Sequence, residues 1–191
     1  MFDIIKNSLE SRFDHKIANE LLEAYQESKR EFQSGGLRLN AVEGGRFCEA
    51  AFRLLEQETT GNFTALGRQL DIEKLMIKLT QTSKGSHPDS VRLHIPRVLR
   101  VVYDIRNSRD TAHLGDGIDP NLQDATLVVS NLDWVMAEFI RLYHGCSANE
   151  AQSIIEDLIT KRIPAIQDFN GFLKVLKPKL KVSELVLLVL Y

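Results

Sequence analysis

Residues 119–145, "DPNLQDATLVVSNLDWVMAEFIRLYHG", run for about six helical turns with apolar side chains over more than half the circumference. So broad an apolar surface cannot lie half in water, and other helices must enclose it. The segment is predicted to be a central, well-buried helix, with Asp119 as N-cap and Pro120 at the first helical position.

The preceding chain supplies the enclosing helices. Over residues 16–32 the apolar positions Ile17, Leu21, Ala24, Tyr25 and Phe32 recur at helical spacing, with glutamates and lysines between them. Residues 35–61 repeat the pattern through Phe47, Ala51, Leu54 and Leu55. Gly44 and Gly45 lie inside that segment, where each weakens a helix, so they imply a close backbone approach or a bend. A shorter helix is expected at 71–81, then a polar loop, "TSKGSHPDS". Pro96 suits the first turn of the next helix, in which Val98, Leu99, Val102 and Ile105 face inward, and Gly115 and Gly117 supply its stop. The fold class is therefore an all-α helical bundle.

After Gly145 the pattern changes. Residues 147–162 read as a helix with a serine cap, residues 163–177 as two short β-prone runs around Asn170-Gly171, and residues 181–191 as a further apolar helix. This divides the chain into a helical domain, 1–145, and an appendage, 146–191, whose helix and hairpin resemble fragments of a winged helix. Its terminal apolar run needs a cover, so the appendage is either incomplete here or completed by a partner. Six basic residues against Asp168 between 161 and 181 leave two readings open, nucleic-acid contact or protection of a strand edge.

Hydrophobic residues at 43% and charged residues at 26% are ordinary for soluble globular proteins. A formal net charge of −2 excludes a globally basic nucleic-acid binder but leaves room for a local patch. Cys48 and Cys146 have no ligand spacing and read as buried thiols in a reducing, cytoplasmic setting, and no stretch is apolar for long enough to span a membrane. The phosphate loop, HExxH, GxSxG and dinucleotide fingerprints are absent from the sequence.

The chemistry concentrates in "RNSRDTAH", residues 106–113. On a continuous helix Arg106, Arg109 and His113 fall within about 60° of one another at ~100° per residue. A near-neutral histidine can move the proton of a ribose 2′-hydroxyl, and a guanidinium can hold the phosphate oxygens as charge builds. RNA brings its own nucleophile, so this chemistry requires no metal and no cofactor. Asn107 could orient either the histidine or the phosphate. Between residues 92 and 113 five arginines, Arg100 among them, face only Asp104 and Asp110, an excess suited to RNA phosphates. Plainer roles stand beside these: Arg106 and Arg109 as helix-end partners of Asp104 or Asp110, and His113 as a helix cap. His87, His94 and His144 read as surface or capping residues. Arg46, Glu49 and Arg53 read as an intrahelical ion-pair ladder, with a second reading that places Arg46 beside the cleft. Trp134 is expected in the core.

"DIRNSRDTAHL" resembles the signature of HEPN domains, an arginine and a polar residue followed after a gap by a histidine, and Arg106-Asn107 with His113 matches its long form. "GGRFCEAAFRLLE" and "IPRVLRVVYDIRN" are similar to a prokaryotic HEPN subgroup associated with abortive infection and phage defence, and the resemblance covers residues 15–145. It implies a homodimeric bundle with a composite endoribonuclease site in which Arg106, Asn107 and His113 act on RNA. Arg109 is not the family's arginine in that alignment, yet it lies closer to His113, and which arginine works stays open. A catalytically inactive RNA-binding or protein-docking module of the same fold is the alternative.

Overall fold

The computed structural model describes residues 2–108, 121–160, 166–169, 172–175 and 181–183. The described chain is mostly helical: α1 (Phe2–Glu10), α2 (His15–Ser34), α3 (Leu37–Thr60), α4 (Ile72–Gln81), α5 (Ile95–Ser108), α6 (Leu122–Tyr143) and α7 (Ala148–Thr160). Among the described residues no helix is long and apolar enough to cross a membrane.

Two compact units divide the chain, residues 1–158 and 159–191. The division falls later than Gly145 because α7 begins within the first unit, where Ala151 and Ile155 are buried. Its start is a capping box: the Ser147 hydroxyl accepts from the Glu150 amide, and the Glu150 carboxylate accepts from the Ser147 amide. In the second unit β1 (Ile166–Phe169) and β2 (Phe172–Val175) pair antiparallel, Ile166 opposite Val175 and Phe169 opposite Phe172. Asn170-Gly171 and the apolar run 185–191 lie outside the described residues.

The α2–α3 connection follows from two glycines. Gly35 adopts φ +78°, and the amides of Gly35 and Gly36 return to the carbonyls of Phe32 and Glu31, a Schellman closure that reverses the chain. Helix α3 then takes the centre of the bundle. Phe47, Cys48, Ala50, Ala51, Phe52, Leu54 and Leu55 are all buried, over an arc of about 200° at ~100° per residue.

Helix α6 differs from its expected role. Ala125, Val128, Leu132, Val135, Met136 and Phe139 form one buried face, but Leu127 and Trp134 are 46% and 40% exposed. Trp134 is therefore not a core residue. The small residues of α3 allow helices to pack on several of its sides, so α3 is enclosed and α6 is covered on one side only. The start of α6 is also later than expected: Asn121, extended at φ −118° and ψ 175°, caps the helix by accepting from the Asp124 amide. Asp119 is thus not the cap.

Helix α5 also starts differently. The chain already coils at Ser90–His94 in a π-helical turn, in which the Ile95 amide donates to the Ser90 carbonyl, and Pro96 is the second residue of α5. Proline has no amide to donate and its ring crowds the carbonyl four residues back, so a widened turn before it relieves the conflict.

Gly44 and Gly45 provide a close approach. A Cβ on Gly44 would stand 2.8 Å from Val128 Cγ1 of α6 and 3.5 Å from Val102 Cγ1 of α5, while one on Gly45 would stand 2.6 Å from Arg106 Cδ. The two glycines therefore have different consequences. Gly44→Ala forces a methyl against core valines, and overpacking of about 1–3 kcal/mol outweighs a helix-propensity gain of about 1 kcal/mol. Gly45→Ala meets a flexible arginine chain that can swing aside. Urea unfolding should show Gly44→Ala destabilised and Gly45→Ala unchanged or slightly stabilised. Equal destabilisation of the two would contradict this packing.

Candidate functional site

Arg106 lies in the last turn of α5, half-buried. Its aliphatic chain rests over Gly45, its guanidinium carbon is 5.9 Å from the Tyr103 ring centroid, and its Nη1 is 4.0 Å from Glu49 Oε1 of α3. Asp104, the neighbour expected to pair with Arg106, is held instead by Arg100 at 3.0 Å. Asn107 is exposed. Arg109 and His113 lie outside the described residues, so of the octapeptide motif only the first part has a described position.

Arg106 and Arg46 line one cleft of about 230 Å³, together with Glu20, Glu49, Arg53 and Leu66. Arg46 does not join a ladder with Glu49. It donates to Glu20 of α2 at 2.9 Å and to Glu43 at 2.8 Å, and despite the cost of partial burial these carboxylates raise its pKa above the ordinary arginine value. It is held firmly at the cleft wall. Arg53 is only 2% exposed and has a structural role: it donates to the carbonyls of Thr64, Glu49 and Arg68, and more loosely to the Glu49 carboxylate at 3.4 Å. With Glu56, which accepts from the Thr64 amide, it fastens the loop 61–71 that supplies Leu66 and Gly67 to the cleft. The Glu49 carboxylate thus stands between two guanidiniums, 3.4 Å from that of Arg53 and 4.0 Å from that of Arg106.

Arg100 faces a different depression, a groove of about 500 Å³ lined by Gln69, Leu70, Asp71, Ile72, Glu73 and Tyr103. It pairs with Glu73 and Asp104, both largely exposed. Arg92, one of the five arginines of this stretch, is buried: it donates to the carbonyls of Thr80 and Thr82 at the end of α4 and to Asp89. The basic excess read from the sequence is accordingly smaller at the surface.

The other candidates settle into structural positions. His144 ends α6 and hydrogen-bonds Ser8 at 2.8 Å, and His87 stands 3.6 Å from Glu58. Cys48 is buried, which pushes its thiol pKa up, whereas Cys146 is only partly buried, contrary to expectation. Among the described residues no three His, Cys, Asp or Glu side chains converge as a metal site requires.

A second surface runs along α5 and α6. Arg141 of α6 donates to the Ser90 hydroxyl and to Glu138, and the Glu138 carboxyl lies within the field of His94. Trp134 and Leu127 lie four and eleven positions before Glu138, and Val101 and Ile105 seven and eleven after His94, spacings that keep each set on one helix face. Val101 of α5 and Leu127 and Trp134 of α6 are large apolar side chains left 40–46% exposed.

No family model, curated protein or solved structure matches this chain.

The Arg141 hydrogen bonds, with Ser90 and His94, lower the Glu138 carboxyl below its usual 4.5 despite partial burial. A carboxyl whose folded pKa is depressed adds stability above its unfolded pKa and loses it as pH falls through the folded value. Glu138→Gln should therefore lower stability at neutral pH and flatten the acid limb of a stability-versus-pH curve. A variant that matches the parent at pH 7, with the same acid limb, would show that the pair contributes nothing.

Proposed function

We propose that this chain is a metal-independent endoribonuclease of the HEPN type. The observation that carries the reading is the placement of Arg106 at the rim of a cleft it shares with Arg46, at the end of the helix that leads into His113. In this reading the Arg106 guanidinium holds the non-bridging oxygens of the scissile phosphate and Asn107, exposed beside it, orients phosphate or histidine. His113 takes the proton from the ribose 2′-hydroxyl. The 2′-oxygen forms a bond to phosphorus as the bond to the 5′-oxygen breaks, and that oxygen leaves with a proton taken from water, to which His113 later returns its own. The products are a 2′,3′-cyclic phosphate and a 5′-hydroxyl, with no change in oxidation state.

A homodimer belongs to the same reading. The exposed apolar side chains Val101, Leu127 and Trp134 support self-association, because a partner that covers them removes apolar surface from water. The biology that fits is a toxin-like or antiviral response in the cytoplasm, with the C-terminal unit, winged-helix-like in sequence, as the place for a protein or nucleic-acid partner.

The Glu49 contact favours a second reading, an RNA-binding module without cleavage, since an arginine steadied by a carboxylate can bind phosphate without any transfer of protons. Incubation of total RNA with purified protein in EDTA separates the two. The nuclease reading expects cleavage with cyclic phosphate ends, lost by at least about two orders of magnitude in His113→Ala, the usual scale for removing a general acid or base, and likewise in Arg106→Ala. RNA binding that needs Arg106, with no cleavage by the parent, would establish the module instead.

A further inference from the structure

Arg100, Tyr103 and Arg106 stand at i, i+3 and i+6 on α5, fanned over about 120° and about 9 Å of helix axis at ~1.5 Å per residue. Tyr103 is the hinge of the arrangement. Tyr103 lines the 500 Å³ groove with Arg100, Gln69 and Leu70, and its ring centroid is 5.9 Å from the guanidinium carbon of Arg106, which lines the smaller cleft. A cation, a half-buried aromatic and a second cation thus follow one another across the surface between two depressions.

We propose that Tyr103 is a base-stacking platform and that the ligand of this surface is single-stranded RNA, laid from the Arg100 groove across Tyr103 to Arg106. The inference rests on the RNA reading given above and names the form of RNA. The faces of bases are covered inside an A-form duplex and open only in single strands, loops and bulges, which proteins recognise by aromatic stacking and guanidinium planes. Groove and cleft offer both elements side by side. The ion pairs of Arg100 do not block the path: Glu73 and Asp104 are 67% and 53% exposed, and exposed pairs of this kind are worth about 0–1 kcal/mol, so a phosphate can take over the guanidinium. Arg46, tied to two less exposed carboxylates, serves as the fixed wall of the cleft. Leu70 and Ile72 give the groove an apolar floor against which a stacked base can lose water, and Gln69 offers an amide that can both donate to and accept from a base edge.

Fluorescence anisotropy with a short 2′-O-methyl RNA, which lacks the nucleophilic hydroxyl, reads binding apart from cleavage. The parent is expected to bind the single strand more tightly than the same strand annealed to its complement. Tyr103→Leu keeps an apolar side chain in the half-buried position and should weaken single-strand binding roughly 5- to 100-fold, the range for losing one stacked base, with folding confirmed by circular dichroism. Tyr103→Phe keeps the ring and should bind like the parent. Unchanged binding by Tyr103→Leu, where Arg106→Ala still weakens it, would overturn the stacking role and leave the RNA reading standing. Equal or tighter binding of the duplex would overturn the single-strand assignment. Failure of the parent to bind either form would overturn this inference and the RNA reading together.

Discussion

The absence of side chains at Gly44 and Gly45 of α3 governs the arrangement around the site. Each glycine costs its helix roughly 0.5–1 kcal/mol relative to alanine. The compensation is proximity: Val128 of α6 and Val102 of α5 come against Gly44, and one helical step further the stem of Arg106 lies along Gly45. A single pair of residues therefore sets both the seating of the last two long helices of the bundle on the first unit's central helix and the depth at which the motif arginine sits. The core contacts hold α5 in place, and the gap at Gly45 lets its terminal arginine turn inward to Glu49 and Tyr103.

The electrostatics of the cleft follow from that depth. Three guanidiniums, those of Arg46, Arg53 and Arg106, line it with Glu20 and Glu49. Arg46 and Arg53 are committed to the fold, one across helices and one to a loop, and both have multiple acceptors at hydrogen-bond distance. Glu49 is the looser element, with its contacts at 3.4 and 4.0 Å. A chain of net charge −2 can carry such a local cluster of guanidiniums without being basic overall.

Much of the helical order is written in local periodicity. The segments 16–32, 35–61 and 71–81 correspond to α2, α3 and α4, because apolar spacing, glycine stops and Asp71 as a cap act within a few residues of the chain. What depends on distant partners is less visible. Nothing near Arg53 or Arg92 in the sequence reveals that they are buried donors to carbonyls of loops and helix ends. Trp134 looks like core because its helix is apolar on so many sides, and only the enclosure of α3 decides which of those sides remains open. The late start of α6 at Leu122 reflects the choice between two capping residues two positions apart, Asp119 and Asn121, which local rules rank almost equally. Tyr103 does not stand out in the sequence despite its i, i+3, i+6 alternation with Arg100 and Arg106, because a tyrosine in an amphipathic helix is ordinarily packing. The cleft shared by Arg46 and Arg106 joins residues 60 positions apart in the chain, which local periodicity does not bring together, and the glycine pair gives its physical basis.

The claim at the centre is that Arg106, seated on Gly45, is the phosphate-binding cation of a surface shared with Tyr103. Side-chain Nε–Hε resonances of the arginines, assigned by single substitution, can be followed during titration with the 2′-O-methyl RNA. The account requires a large shift for Arg106 and a smaller one for Arg100, with little change for Arg53, which is bound to loop carbonyls, and for the exposed Arg97. Shifts confined to Arg97, or an Arg106 signal that stays in place while RNA binds, would locate the RNA elsewhere on the protein and contradict it.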